Sequence, residues 1–236
     1  MNRNNKILIK IISRLIYMMT AFCLSQNAIY AQVGSVFRGW EKGFLDIHHI
    51  NTGKGESAFF IFPDGTTMLA DAGATGRAKP RVTDAKPNDD KTPGDWIARY
   101  ILHFLDETPE KRLDYILISH FHDDHMGTFS QDLKPSEKGN YLLSGITEVA
   151  DKIPFGKLID RGWPEYNWPR PLQSKGMGNY IRFIQWQTSE NNAVAEQFDV
   201  GSKDQIKLLF NPGDYPEFSV RNIASNGRPC KKSLFH

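Results

Sequence analysis

The sequence is poor in cysteine and has no long uninterrupted hydrophobic run. Its 236 residues include two cysteines, and Cys23 falls in an N-terminal segment, residues 1–31, that we expect to be removed. The single cysteine that remains, Cys230, excludes an intrachain disulfide and a zinc cluster built from several thiolates. Any zinc site in the mature chain is therefore expected to use histidine and carboxylate ligands.

Strong net charge is also absent. The whole chain carries 29 Lys and Arg against 27 Asp and Glu. Residues 1–31 hold four of the basic residues and no acidic one, so the other 205 residues carry 25 basic against 27 acidic residues, a net charge of −2. A mature chain of this charge has no global positive field that would attract nucleic acid.

The first 31 residues have the pattern of a signal peptide. Basic residues are interleaved with the apolar runs 7–12 and 15–24, and Ala28-Ile29-Tyr30-Ala31 resembles a cleavage site. The apolar stretch without charge is about ten residues long, shorter than the roughly 20 residues of a membrane-spanning helix. We expect cleavage after Ala31, export to the periplasm or the exterior, and one domain over 32–236 with no stable membrane span. A retained membrane anchor is the alternative.

Hydrophobic periodicity predicts a chain in which strands alternate with helices. Strands are predicted at residues 43–50, 56–62, 66–71, 113–118, 157–160, 205–210 and 217–224, and helices at 95–105, 146–153 and 178–186. The Pro63-Asp64-Gly65 turn joins the second and third strands into a hairpin. The strand 113–118 is almost wholly apolar, as is typical of a strand buried on both faces. Ligand-binding loops gather at the ends of such strands.

Soon after that strand, six consecutive residues contain four predicted metal ligands, His120, His122, Asp124 and His125. They belong to the segment His120-Phe121-His122-Asp123-Asp124-His125. In extended backbone His120 and His122 point the same way, and the following turn aims Asp124 and His125 at a second ion. Imidazole and carboxylate suit zinc and related divalent ions, which lower the pKa of bound water to about 7. The segment predicts metal-dependent hydrolysis. Asp123 is expected to be a loop or helix-start carboxylate.

The spacing His120-x-His122-x-Asp124-His125 after an apolar strand resembles the signature of the metallo-β-lactamase fold superfamily. Upstream, the run 53–58, the Pro-Asp-Gly turn and Asp71-Ala72-Gly73 resemble the opening hairpin of one branch, which includes the hydrolase domain of competence-type DNA-uptake proteins. The matches together span residues 43–130. This resemblance implies an α/β fold (α+β in some schemes) that is a four-layer αββα sandwich with its site at one edge between the sheets.

The resemblance also implies roles for individual residues. His120 and His122 would bind a first zinc ion, and Asp124 and His125 a second, with other divalent metals as alternatives. Asp71 would orient the motif by accepting a hydrogen bond from a histidine ring, although a plain turn-forming role explains it equally well. Catalytic roles thus fall on Asp124 and Asp71. The implied substrate is a small molecule or a phosphodiester; nucleic acid follows only by analogy with the branch, and the charge does not support it.

The downstream half of the family's pattern is not visible. The pattern needs two more histidines and an aspartate that bridges two metals, whereas the only histidine after His125 is the terminal His236. Asp160 and Asp214 are the nearest candidates for the bridging residue, and both are expected to be structural. We therefore expect a truncated or abbreviated second half. The alternatives are a hydrolase whose site is completed elsewhere, for example by a homodimer, and a catalytically incompetent remnant with weak or no metal binding.

Other candidate residues have plainer explanations. His103 lies on an apolar helical face and is expected to be a core or boundary residue. His48 and His49 are adjacent in a strand, so they face opposite ways and only one of them can line the site. The aromatic residues of the proline-rich stretch 163–171 either contact substrate or pack beneath their own loop.

Overall fold

A computed structural model describes Arg14 and residues 39–75, 83–85 and 87–229 of the chain. By its contacts the chain divides into two compact units, Met1–Arg38 and Gly39–His236. The predicted signal peptide and the predictions for Cys230 and His236 lie outside the described residues and stay predictions. Within the described part, no helix combines the length and the apolar character that a membrane crossing requires.

A six-stranded mixed sheet forms the centre of the second unit. Its strands are β1 (Asp46–His49), β2 (Ala58–Ile61), β3 (Thr67–Ala70), β4 (Leu113–Ile118), β5 (Phe155–Asp160) and β6 (Val194–Gln197), and they lie side by side in sequence order. Strands β1 to β3 pair antiparallel, whereas β3 to β6 pair parallel. The protein is therefore an α/β protein, as the sequence predicts.

Helices provide the crossovers that parallel strands require. They are α1 (Pro93–Leu105) between β3 and β4, α2 (Asp123–Met126) and α3 (Ile146–Lys152) between β4 and β5, and α4 (Lys175–Glu190) between β5 and β6. Buried residues of α1, α3 and α4 form one apolar cluster with Phe59, Leu69 and Ile116 of the sheet. These three helices thus cover one face of the sheet.

Helix α1 begins with the capping pattern that the sequence indicates. The Thr92 side chain accepts a hydrogen bond from the backbone N–H of Asp95, and Pro93 occupies the first turn. Ile101 and Leu105, four residues apart, are fully buried. The predicted helix is confirmed, and it begins two residues earlier than expected.

An irregular segment covers the opposite face of the sheet. Ile206 and Leu208 are buried in a second apolar cluster with Met68 and Tyr115. The predicted strand at 205–210 is wrong, because the described backbone there has no strand pairing. The predicted strand at 217–224 is also wrong, apart from its last residue.

Side chains of the sheet, rather than a neighbouring strand, satisfy the backbone of this covering segment. The Tyr115 hydroxyl donates to the carbonyl of Lys207 at 3.0 Å, and the N–H of Leu209 donates to Oγ1 of Thr66 at 2.8 Å. Buried and exposed residues alternate along this segment, as they do along a strand. The sequence pattern therefore does not distinguish a paired strand from an extended segment without strand pairing. Strand β6, in contrast, is present but was not predicted, and it has no buried residue.

The predicted αββα sandwich needs a second large sheet. Besides the central sheet, the described residues contain one two-stranded pair, β7 (Ala224–Ser225) with β8 (Arg228–Pro229). No second large sheet lies in the described part of the chain, so the sandwich stays a prediction.

Asp64, in the turn between β2 and β3, anchors the covering segment. Its Oδ1 accepts from the N–H of Thr66, and its Oδ2 accepts from the N–H groups of Phe210 and Asn211 at 2.8 and 3.1 Å. Desolvation raises the pKa of this buried carboxyl, but the backbone donors outweigh it, and the pKa lies below the ordinary value of 3.8. The fold therefore stabilises the ionised carboxylate.

We expect Asp64→Asn to lower the free energy of unfolding by about 2–3 kcal/mol at pH 7, because buried backbone donors lose a charged acceptor. Urea unfolding followed by circular dichroism measures the change. The contribution of Asp64 is present above pH 3.8, the ordinary pKa. It is lost as the pH falls further, because the pKa of Asp64 is lowered in the folded state and protonation then favours unfolding.

Asp214→Asn is the matched control. Asp214 is an exposed carboxylate that pairs with exposed Lys42 at 3.1 Å, and such surface ion pairs contribute little. This variant is expected to leave the urea midpoint unchanged. Equal losses in the two variants would contradict the anchoring role of Asp64.

Candidate metal centre

The metal motif begins where two parallel strands end side by side. Ala70 of β3 pairs with Leu117 of β4, so the turn at Asp71 and the loop that starts at Ser119 lie at the same edge of the sheet. The N–H of Asp71 donates to the carbonyl of Leu117 at 2.9 Å and extends this pairing. The carboxyl ends of parallel strands are the usual ligand-binding edge of an α/β sheet.

A single helical turn gives the motif its shape. The backbone is extended at His122, the N-cap of α2, and the helix ends at Gly127, where φ is 109°. A positive φ of this kind favours glycine. Asp123 lies in the first turn of α2, which is the helix-start position predicted for it.

Two upstream loops hold the motif through backbone hydrogen bonds. The carbonyl of Asp124 accepts from the N–H of Glu56, and the carbonyl of His125 accepts from the N–H of Ala72, each at 2.8 Å. The N–H of Gly73 donates to the carbonyl of Glu56 at 2.9 Å. The motif therefore folds against the two upstream segments whose sequences resemble the family's opening hairpin.

This close approach explains two of the glycines in those segments. A Cβ atom on Gly55 or Gly73 would lie closer than 3.0 Å to the carbonyl oxygen of Asp124. Gly55 also has a φ of 135°, which side chains rarely allow. A larger residue at either position displaces the backbone of Asp124.

Three of the four predicted metal ligands converge. Half-buried His120, Asp124 and His125 each offer one ligand atom, and these atoms lie within 4.8 Å of one another. His122 is exposed and outside this group, with its ring centroid 4.6 Å from that of His120. The geometry favours one His-Asp-His group that can hold a metal ion over the two pairs that the resemblance implies.

Asp71 lies directly behind this group. Its Oδ2 is 2.8 Å from Nδ1 of His125, and its Oδ1 accepts from the N–H of Ser119 at 2.8 Å. The structure thus contains a contact of the kind that the resemblance implies for Asp71. The same residue forms the turn after β3 with a φ of 59°, a conformation that costs about 1–2 kcal/mol in most residues. The structure therefore shows both the turn and the contact with His125, and the orienting role stays a prediction.

The electrostatic surroundings keep His120 in the form that binds metals. Burial lowers the pKa of His120, and the neighbouring rings of His125 and His122 lower it further. Neutral imidazole is the form that ligates a metal ion. At neutral pH His120 is therefore ready to act as a ligand.

Ser119 is not among the predicted site residues, yet its hydroxyl lies among the polar atoms of the site. The Oγ atom is 2.6 Å from Oδ2 of Asp71. The available signal was a hydroxyl residue at the end of a buried strand, directly before the first histidine of the motif.

The two aspartates considered for a bridging position are engaged elsewhere. Asp160 is fully buried and accepts hydrogen bonds from two backbone N–H groups and from the hydroxyls of Tyr166 and Tyr180. Asp214 pairs with Lys42 at the surface. Both are therefore structural, as expected.

The other described histidines do not join the metal group. His48 packs against Phe59, with its Nδ1 3.0 Å from the Tyr100 hydroxyl. His103 is exposed, which corrects its expected place at the core or its boundary. His49 and His103 line a cavity of about 1,000 Å³, and no side chain of the metal motif lines that cavity.

The aromatic residues of the stretch 163–171 differ in burial. Tyr166 is buried, and Trp163 packs against the same apolar cluster, whereas Trp168 is 43% exposed. Packing beneath the loop is confirmed for Tyr166.

Comparison with known proteins gives no match, either among protein-family models or among curated proteins. Function is therefore inferred from the chain's own residues and their geometry.

Because a Cβ on residue 73 meets the carbonyl of Asp124, we expect Gly73→Ala to lower the free energy of unfolding by about 1–3 kcal/mol, as overpacking against backbone does. Chemical denaturation measures the loss. Gly213→Ala is the matched control, since a Cβ on Gly213 meets nothing within 4 Å. Equal stability of the two variants would mean that the backbone of Asp124 does not pack against Gly73 as described.

Proposed function

We propose that this chain is an exported metal-dependent hydrolase of the metallo-β-lactamase fold superfamily. The observation that supports the proposal is the convergence of the ligand atoms of His120, Asp124 and His125 within 4.8 Å, in the segment that follows a buried parallel strand. In this proposal the six-stranded sheet is one layer of an αββα sandwich. Export to the periplasm or the exterior follows from the predicted signal peptide.

The donor set fits zinc. Two imidazole nitrogens and one carboxylate oxygen make three protein ligands, the number in many catalytic zinc sites, with a remaining position for water or substrate. A divalent ion, when bound, supplies a water molecule whose pKa is near 7 and polarises the substrate oxygen. This chemistry suits hydrolysis of an ester, an amide or a phosphodiester.

The chain's own residues prepare this donor set. Asp71 lies 2.8 Å from Nδ1 of His125, so the ring presents its other nitrogen, Nε2, which is 4.0 Å from Oδ1 of Asp124. The backbone hydrogen bonds from Glu56 and Ala72 to the carbonyls of Asp124 and His125 fix the turn that carries both side chains. These contacts hold the ligands before any ion arrives, which lowers the entropy lost on binding.

The resemblance implies two zinc ions, whereas this group provides for one. His122, whose ring is next to that of His120, is the first additional ligand that a second ion would recruit. No further histidine or carboxylate joins the group among the described residues. We therefore propose one tightly held ion per chain.

A catalytically incompetent remnant is the second candidate. It is favoured by the engagement of Asp160 and Asp214 elsewhere, which leaves the described chain without a bridging carboxylate. In such a remnant the open positions of the group would be uncontrolled, and the metal would be bound weakly or not at all. Completion by a second copy in a homodimer is a further arrangement, and it would make the metal content depend on protein concentration.

After zinc loading and desalting, we expect the purified full chain to retain one zinc ion. Asp124→Ala and His125→Ala are each expected to retain none, because each removes one of only three ligands. Elemental analysis by mass spectrometry gives the content. His103→Ala is the matched control, an exposed histidine outside the group that should leave the content unchanged.

Wild-type protein without zinc would contradict the proposal and favour the remnant. Activity is tested separately, with p-nitrophenyl acetate and bis(p-nitrophenyl) phosphate as ester and phosphodiester probes. We expect zinc-dependent hydrolysis of at least one of them, and loss of that activity in Asp124→Ala. Zinc binding without hydrolysis of either probe would support a metal-binding remnant.

A further inference from the structure

The hydroxyl of Ser119 has three polar neighbours in the candidate metal centre. Its Oγ lies 2.6 Å from Oδ2 of Asp71, 3.1 Å from Nδ1 of His120 and 3.2 Å from Nδ1 of His125. Ser119 is the residue through which the Asp71 carboxylate, in the turn after β3, reaches His120, the first histidine of the motif. It is itself exposed, so its contacts do not serve to fill the core.

Counting donors and acceptors fixes the direction of these hydrogen bonds. An ionised carboxylate only accepts, so the hydroxyl of Ser119 donates its single proton to Asp71. The oxygen of Ser119 then has only lone pairs to offer His120, whose Nδ1 must carry the proton of the neutral ring. His125 Nδ1, 2.8 Å from Oδ2 of Asp71, donates to the carboxylate directly.

We propose that Ser119 is a positioning residue that extends the influence of Asp71 to His120, so that one carboxylate sets the tautomer of two metal ligands. Both rings carry their proton on Nδ1 and present an unprotonated Nε2. This inference rests on the proposed function, since it concerns ligands of the proposed metal group. Partners of this kind, which orient a ligand through its other ring nitrogen, affect metal affinity by about 10–100-fold.

Removing the hydroxyl separates the two histidines. In Ser119→Ala, His125 keeps its direct contact with Asp71, whereas His120 loses its only described acceptor at Nδ1. The tautomer of His120 is then free to change, and that of His125 is not. A purely structural role for Ser119 predicts no such difference between the two rings.

The test uses nitrogen NMR of the histidine rings in the metal-free full chain at a pH where they are neutral. We expect wild type to show the Nδ1-protonated tautomer at His120 and His125. Ser119→Ala should shift His120 to a mixture of tautomers and leave His125 unchanged. Ser119→Thr, which keeps the hydroxyl, should restore the wild-type signature.

Zinc affinity provides the second readout. We expect the dissociation constant to rise about tenfold in Ser119→Ala and to return to the wild-type value in Ser119→Thr. An unchanged His120 tautomer in Ser119→Ala would overturn the positioning role, whatever the affinity. Wild-type protein with the expected tautomers but no zinc binding would overturn the proposed function alone, because the tautomers are measured without metal.

Discussion

The parallel pairing of β3 with β4 is the interaction on which the candidate site depends. It places the turn at Asp71 beside the first residues of the motif, two segments that are 48 residues apart in the chain at Asp71 and Ser119. Once the strands pair, the carboxylate of Asp71 reaches both the hydroxyl of Ser119 and the ring of His125. The candidate metal ligands are local in sequence, but the contacts that orient them come from the turn after a neighbouring strand. If this pairing were disturbed, the sequence of the motif would be unchanged, but its side chains would lose the contacts that hold them in one arrangement.

The two faces of the sheet are covered by different physical means. On one face, amphipathic crossover helices bury long apolar side chains, and their backbone bonds are satisfied internally. On the other face, the segment around Ile206 and Leu208 buries apolar side chains without forming a strand. Its backbone groups need partners, and the buried side chains of Asp64 and Thr66, in the turn between β2 and β3, provide them. Polar residues inside the turn after β2 are thus part of what covers the sheet.

The sequence predicts local features of this protein well and long-range ones poorly. The helical spacing of residues 95–105 and the apolar run of β4 are properties of neighbouring residues, and both predictions are confirmed. The edge strand β6 was missed because its strand character comes from pairing with β5 rather than from an apolar face. In the site, the spacing identified candidate ligands. Their convergence into a group without His122 depends on how α2 turns, which spacing alone does not determine.

The surroundings of Asp160 indicate why a second metal position is difficult to build from this part of the chain. Its strand pairs with β4 up to Ile118, so this aspartate lies at the same sheet edge as the motif. Burial raises the pKa of Tyr166 and of Tyr180, which keeps both hydroxyls protonated and able to donate to the carboxylate. Ligating a metal would require Asp160 to release these donors, and each buried hydroxyl left without an acceptor costs about 1–3 kcal/mol. The aspartate is therefore held in the core by its donors, and His120, Asp124 and His125 are left as the group that could hold a metal ion.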